Sequence, residues 1–358
     1  MINPHYKPFG FFRFGLAFMV AMSHSGNLGP AWFERMIQPW GLGNMAVMTF
    51  FVLSGYIIAE AIEVFYRDRP VAFIGNRYLR ILPPYFAALL VSVLVHALLA
   101  HYGWLGHVVN WTPEAFSATN LTANSLLLVI LYGLGRMGFQ PDYFFVTNTW
   151  AVMVEVHFYL VVFGLMLLWP RLNRHLTEVG RRRIIMVGVV ALCVLGPLAM
   201  FLKIPQLVYV SWAPFLLAGV LLYQLHQRQD AFFLAACVLS QISLLGTFCL
   251  YVGRNASALI AGPAVVLGLL IVILAFLGRA RIPASQVGWD RFFGNLSYPL
   301  YINHWTVFVV YGAVASTGRG WGLWMAGMAS AVGLSLLMQA AVEPLLHRVR
   351  DRLRGTSL

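Results

Sequence analysis

Long apolar segments, separated by short polar connections, follow one another from end to end of the chain. Each is close to the roughly 20 residues that a helix needs to cross about 30 Å of hydrocarbon. Such a pattern is typical of a helical integral membrane protein. Eleven segments can be delimited, at residues 9–25, 42–62, 81–101, 121–138, 150–169, 184–202, 207–225, 231–251, 257–278, 292–313 and 321–345.

The composition supports this interpretation, because 60% of the 358 residues are hydrophobic and only 10% are charged, whereas soluble domains carry about 25% charged residues. No stretch is left over for a separate soluble domain, so residues 1–358 are predicted to form one membrane-embedded domain. The three cysteines lie inside apolar segments without paired or metal-ligand spacing, and we expect neither a disulfide nor a metal site.

The distribution of positive charge predicts the topology. A net charge of +12 is compatible with an acidic partner such as nucleic acid, but the arginines stand in short clusters between apolar segments, as in loops that orient a membrane protein. If the N-terminus is cytoplasmic and 121–138 is not counted as a span, all but five of the 24 Lys and Arg residues fall on one side. The positive-inside rule therefore predicts an all-α protein of about ten transmembrane helices with both termini cytoplasmic. Segment 121–138 then becomes a re-entrant or interfacial helix.

The first apolar segment keeps two ionisable residues, Arg13 and His24. They are eleven residues apart, which places them within about 20° of one helix face and about 16 Å apart along its axis. Arg13 can alternatively extend to the membrane surface, and His24 can cap an outer helix end. Ionisable residues within spans usually mark functional sites, and imidazole is the usual general acid or base near neutral pH. We therefore predict a catalytic role for His24.

A second cluster, residues 67–86, places four arginines at the predicted cytoplasmic mouth of a span. Pro83 and Pro84 are expected to break or kink the first turns of that helix. The cluster is either an orienting loop or a phosphate-binding site for a polyanionic ligand that enters from the cytosol.

A third candidate is Glu155, a carboxylate among apolar residues of segment 150–169. A buried carboxylate needs a partner, and Glu155 and His24 are predicted at similar depth, so a His and Glu pair is possible. Further along, Tyr301 and His304 are three residues apart and either line one cavity or form a polar link between helices. No P-loop, zinc-ligand or Gly-x-Ser-x-Gly pattern occurs in the sequence, so any chemistry must come from dispersed intramembrane residues.

Six motifs in register resemble the membrane acyltransferase-3 family, the bacterial O-acyltransferases of polysaccharides, lipopolysaccharide and related glycans. The resemblance covers essentially the whole chain and departs from the family at Gly10, Met48 and Ala151, where acidic or polar residues are common. The motifs are Arg13 with His24, TFFVLSGYII at 49–58, RYLRILPPY at 77–85, Trp150 with Glu155 and Tyr159, LSYPLYINH at 296–304, and Glu343 with Pro344.

The resemblance implies a multi-pass protein of the bacterial cytoplasmic (inner) membrane. It would move an acyl group, usually acetyl, from cytosolic acyl-CoA to a hydroxyl of a cell-envelope glycan or glycolipid. His24 would be the general base, or else a transient acyl carrier, and Glu155 would assist it. Acyl-CoA would be a co-substrate rather than a tightly bound cofactor. It would be held by Arg13, Arg77, Arg80 and Tyr85, and the substrate cavity would be lined by Ser54, Trp150, Tyr159, Tyr301 and His304.

Two other functions remain open from the residues alone. In an exporter or flippase of glycan or lipid precursors, the same polar residues would line a permeation path and transfer no acyl group. A non-catalytic membrane scaffold would leave the buried His and Glu unexplained.

Overall fold

The computed structural model describes residues 6–108, 110–126, 141–174, 176–202, 208–255, 261–315 and 318–355. Within these ranges the regular structure is helical and no β-strand occurs. A π-helical turn at Ile62–Tyr66 and two short 3-10 helices accompany the α-helices. The α-helices are α1 (Gly10–His24), α2 (Ala31–Ile37), α3 (Leu42–Ala61), α4 (Pro70–His101), α5 (Ala118–Leu126), α6 (Thr149–Asn173), α7 (Glu178–Leu202), α8 (Val208–Arg228), α9 (Ala231–Asn255), α10 (Ala261–Leu277), α11 (Ala284–Ala315) and α12 (Trp321–Arg354).

Six helical segments of the described chain are long and apolar enough to cross a membrane, and the protein is accordingly a multi-pass membrane protein. The total of about ten spans and the cytoplasmic termini stay predictions. The predicted re-entrant or interfacial segment begins within α5, and its residues 127–138 lie outside the described ones. The six segments are Ala31–Tyr66, Pro70–His101, Thr149–Leu172, Glu178–Leu202, Ala231–Gly253 and Trp321–Leu346.

Helix α4 differs from the sequence prediction at its start. It begins at Pro70 and continues through Pro83 and Pro84, so the prolines do not break the helix and do not lie in its first turns, contrary to the prediction. Backbone groups at membrane depth have no partner other than the helix or a packed neighbour, which favours continuing a helix through proline. Arg77 and Arg80 are consequently helical residues rather than loop residues.

The chain forms two compact units, of which unit 1 comprises Met1–Val47, Leu79–Met153 and Arg281–Val349. In this unit α1 packs along α11. The buried carboxylate of Asp290 accepts hydrogen bonds from the Gly10 and Phe11 amides, at 2.9 Å each, and from the Tyr6 hydroxyl at 2.6 Å. A Cβ at Gly10 would lie 1.7 Å from the Asp290 carbonyl oxygen, so only glycine permits this close approach. Asp290 thereby caps α1 from a neighbouring helix.

The connection that follows α1 is fastened to the start of α12, also within unit 1. Trp324 Nε1 donates to Ser25 Oγ at 2.7 Å, and Arg319 Nε donates to the Gly29 carbonyl at 3.2 Å. Arg319 also forms an ion pair with Glu34 at 2.5 Å. These bonds attach the chain immediately after His24 to the start of α12.

Residues 141–148 of unit 1 are held by a buried polar network. The Asn120 and Asn124 side chains bond the backbone of Tyr143 and Phe145, at distances of 2.9 to 3.2 Å. The Tyr143 hydroxyl bonds His96 Nε2 at 2.8 Å. Burial raises the pKa of Tyr143 to about 12. The network fixes the chain that leads into α6.

Unit 2 comprises Met48–Tyr78, Val154–Ala280 and Arg350–Leu358. Helices α7, α8 and α9 pack on one another in this unit. Helix α3 crosses α8 at two glycines, because a Cβ on Gly55 would lie 2.0 Å from the Leu216 carbonyl and one on Gly219 would lie 1.8 Å from the Val52 carbonyl. Small residues at such crossings are how membrane helices bring their backbones together.

Candidate active site

Two histidines meet in unit 1. His24 is the last residue of α1, and its Nδ1 lies 2.9 Å from Nε2 of His304 on α11. His304 is fully buried, whereas His24 is half-buried. The rings of Trp305 and His24 are nearly perpendicular to each other, with centroids 5.8 Å apart. The sequence predicted both histidines as site residues but not that they would touch.

The hydrogen positions of this pair follow from the partners of His304. Its Nδ1 lies 3.0 Å from the Leu300 carbonyl oxygen, which can only accept, so Nδ1 carries the proton. Asn148 Nδ2 lies 2.9 Å from His304 Nε2 and 3.4 Å from the Tyr301 carbonyl oxygen, and this second contact fixes the orientation of the amide. Nε2 of His304 is therefore an acceptor, shared by Asn148 and His24. His24 must carry its proton on Nδ1, which makes its Nε2 the lone-pair nitrogen.

Asn148 is a site residue that the sequence analysis missed. It lies directly before α6 and is held reciprocally, since the Tyr301 hydroxyl donates to its backbone carbonyl at 3.1 Å. The Asn-Thr-Trp stretch at the start of an apolar segment was the available signal. Among the predicted residues, the structure thus brings together His24, Tyr301 and His304.

A second polar cluster lies in unit 2. Glu155 Oε1 accepts hydrogen bonds from the Ser54 and Tyr159 hydroxyls. The Arg77 guanidinium lies 5.7 Å from the centroid of the Tyr159 ring and 5.4 Å from that of Phe73. The expectation that the Glu155 carboxylate has polar partners is confirmed, and four predicted residues come together in this cluster. The pairing of Glu155 with His24 joins residues of different units and stays a prediction.

The other predicted residues lie in unit 1. Helix α1 is continuous from Gly10 to His24, so Arg13 and His24 share one face, as predicted. Tyr85 is buried and donates to the Asn124 carbonyl at 2.6 Å. Arg80 is partly exposed and Trp150 is exposed. Their roles toward acyl-CoA and acceptor stay predictions. Among the described residues, no group of three or more His, Cys, Asp or Glu side chains is arranged to hold a metal ion.

In unit 2, Ser54, Arg77 and Glu155 come from three of the segments that are long and apolar enough to cross a membrane, which defines a membrane protein with polar residues inside its helices. The family model described as "Acyltransferase domain" matches residues 9–340, and the chain belongs to this acyltransferase family. The resemblance inferred from the six motifs is therefore confirmed.

A curated protein provides a partial match. The "Putative membrane-bound transacylase BcsY" of Komagataeibacter xylinus is 30% identical over 136 residues, which are 37% of this chain and 33% of that protein. The match thus spans about a third of the relative's length. No solved structure matches the chain significantly.

Proposed function

We propose that the protein transfers an acyl group, acetyl in the first instance, from cytosolic acyl-CoA to a hydroxyl of a cell-envelope glycan or glycolipid. It would act in the bacterial cytoplasmic membrane. Membership of the acyltransferase family supports acyl transfer in general. The choice of donor and acceptor rests on the resemblance of the motifs.

The observation that carries the mechanism is the half-buried His24 with its Nδ1 bonded to His304. Nε2 of His24 accepts the proton of the acceptor hydroxyl while the hydroxyl oxygen attacks the thioester carbonyl. The new C–O bond forms, the C–S bond breaks, and the CoA thiolate leaves. The His24 imidazolium then returns its proton to the thiolate, and neutral imidazole is regenerated.

Positive charge would hold the donor. Arg13 lies on the same face of α1 as His24, about 16 Å nearer the predicted cytoplasmic end. In this proposal Arg13 and Arg80 bind phosphate oxygens of acyl-CoA. As predicted from the sequence, the proposal also assigns Arg77 and Tyr85 to the binding of acyl-CoA. It assigns Glu155 to the assistance of His24.

Transfer of radiolabelled acetyl from acetyl-CoA into envelope glycan and lipid fractions tests the proposal. Membranes would carry wild type, His24→Ala or His101→Ala at matched levels. His101 is a suitable control because it is exposed at the end of α4.

Label with wild type and His101→Ala but not with His24→Ala supports the mechanism. Equal label with all three overturns the role of His24. If neither acetyl-CoA nor longer acyl-CoA donors give label with any of them, acyl transfer from acyl-CoA is refuted, and the exporter function is the next to test.

A further inference from the structure

We propose that His304 is the positioning residue of His24: it fixes the tautomer and orientation of the catalytic imidazole, so that Nε2 of His24 faces the acceptor hydroxyl. The catalytic consequence rests on the proposed function, whereas the tautomer is a property of the structure itself. The sequence analysis predicted His304 as a residue that lines the substrate cavity. In this proposal His304 instead supports the catalytic base directly.

Burial distinguishes the roles of the two histidines. Both nitrogens of the fully buried His304 are engaged, Nδ1 by the Leu300 carbonyl and Nε2 by His24 and Asn148. His24 is half-buried, and within the described part of the chain its ring makes its hydrogen bond to His304 through Nδ1. A base must reach its substrate with a lone-pair nitrogen. His24 meets this condition and His304 does not.

The groups that support His304 are themselves held by hydrogen bonds. Its Nδ1 bonds a backbone carbonyl of its own helix, one turn earlier. The Asn148 amide is itself held by Tyr301, through the two bonds that link their side chains and backbone carbonyls. An imidazole whose orientation is fixed in this way presents a constant acceptor to its neighbour.

The tautomer of His24 matters for catalysis. A neutral imidazole can carry its proton on either nitrogen, and the tautomer with Nε2–H would present a donor, not an acceptor, to the substrate hydroxyl. By accepting from Nδ1–H, His304 selects the productive tautomer. The same bond stabilises the imidazolium that forms during the reaction, a role that an aspartate plays in hydrolase triads.

The packing of α1 against α11 keeps the two histidines in register. The bond of Gly10 to Asp290 and the bond of His24 to His304 lie 14 residues apart along each helix. The two helices therefore run parallel with the same offset at both ends. This arrangement fixes the height at which the two imidazoles meet.

A pair of substitutions of equal length isolates the hydrogen bond. His304→Gln keeps an acceptor oxygen near the position of Nε2, whereas His304→Met has the same reach and no strong acceptor. Asn303→Leu, at the neighbouring buried position of the same helix, controls for loss of a polar side chain. Purified full-length protein of each variant would be compared by kinetics. Solid-state NMR of [15N]histidine-labelled protein would report the tautomer, with His24→Gln assigning the His24 signal.

We expect kcat of His304→Met to fall about 10²-fold or more, with little change in KM for the donor, and kcat of His304→Gln to recover to within about tenfold of wild type. The His24 signal should show an unprotonated Nε2 in wild type and in His304→Gln, and a mixture of tautomers in His304→Met.

Several outcomes would overturn the positioning role. These are equal losses in the Gln and Met variants, a kcat of His304→Met equal to that of Asn303→Leu, or an unchanged His24 tautomer in His304→Met. If wild type transfers no acyl group but the tautomer changes only in His304→Met, the proposed function fails and the positioning of His24 stands. If wild type is active and the His24 tautomer is the same in every His304 variant, the positioning role fails and the proposed function stands.

Discussion

Removal of the Asp290 carboxylate tests whether α11 caps α1. Asp290 is 1% exposed and accepts from two backbone amides of the first turn of α1 and from the Tyr6 hydroxyl. A hydrogen bond to a charged group contributes about 1.5–3 kcal/mol, and a helix N-cap about 0.5–2 kcal/mol. Tyr6 is partly exposed and can turn to water, so the two amides dominate the loss. Asp290→Ala should therefore lower the free energy of unfolding by about 3 kcal/mol.

Thermal unfolding of the purified protein in detergent measures this loss. A change of about 3 kcal/mol corresponds to a decrease in Tm of roughly 5 °C for a chain of this size. Asp290→Asn keeps one acceptor oxygen and should lose about half as much. Hydrogen exchange should also become faster at the Gly10 and Phe11 amides, because they lose their acceptors.

Glu178→Ala is the matched control, since it removes an exposed carboxylate that pairs with exposed arginines one turn away. Such surface pairs contribute little, and its Tm should equal that of wild type. If Asp290→Ala has the same Tm as Glu178→Ala, the carboxylate does not anchor α1 and the capping argument is refuted.

Two further predictions concern packing and pH. Gly219→Val places a Cβ 1.8 Å from the Val52 carbonyl, so the crossing of α3 and α8 must open and Tm should fall. Gly246→Val, where a Cβ meets nothing within 4 Å, should leave Tm nearly unchanged, and equal Tm values for both variants would contradict the close crossing. Burial raises the pKa of Tyr143 from its ordinary 10.0 to about 12, so the folded protein favours the neutral phenol. The contribution of the neutral Tyr143 phenol to the free energy of unfolding is complete below pH 10 and is lost as the pH rises toward about 12. Thermal unfolding across this interval should show a decrease that Tyr143→Phe reduces, and an identical decrease in that variant would contradict the assignment.

The helices were predictable because the hydrophobic pattern in lipid leaves the backbone few alternatives. The apolar segments 42–62 and 184–202 correspond closely to α3 and to the C-terminal part of α7. The start of α4 was not predictable in this way, because Asn76, Arg77 and Arg80 interrupt the apolar residues of 70–80 and the two prolines at 83 and 84 follow shortly after. Backbone hydrogen bonding along the helix, rather than hydropathy, decides where such a helix begins.

The candidate site was predictable in its members more than in its contacts. His24 and Glu155 stand out because an ionisable group is costly in an apolar segment and is retained only for a reason. Asn148 and Asp290 did not stand out, since each lies at the edge of an apolar segment, where a polar residue carries no comparable cost. Asn148 and Asp290 matter through their tertiary contacts, Asn148 with His304 and Asp290 with the first turn of α1.

By itself, the sequence determined that this is a helical membrane protein of an acyltransferase family, because hydropathy and motif spacing are local properties of the chain. Only the tertiary structure decided that His24 meets His304, a residue 280 positions away, and that Ser54 and Tyr159 share one oxygen of Glu155. Periodicity fixes the face on which a side chain lies, but not the helix that this face meets. That choice depends on close backbone approach at glycines such as Gly10 and Gly219 and on the register set by Asp290.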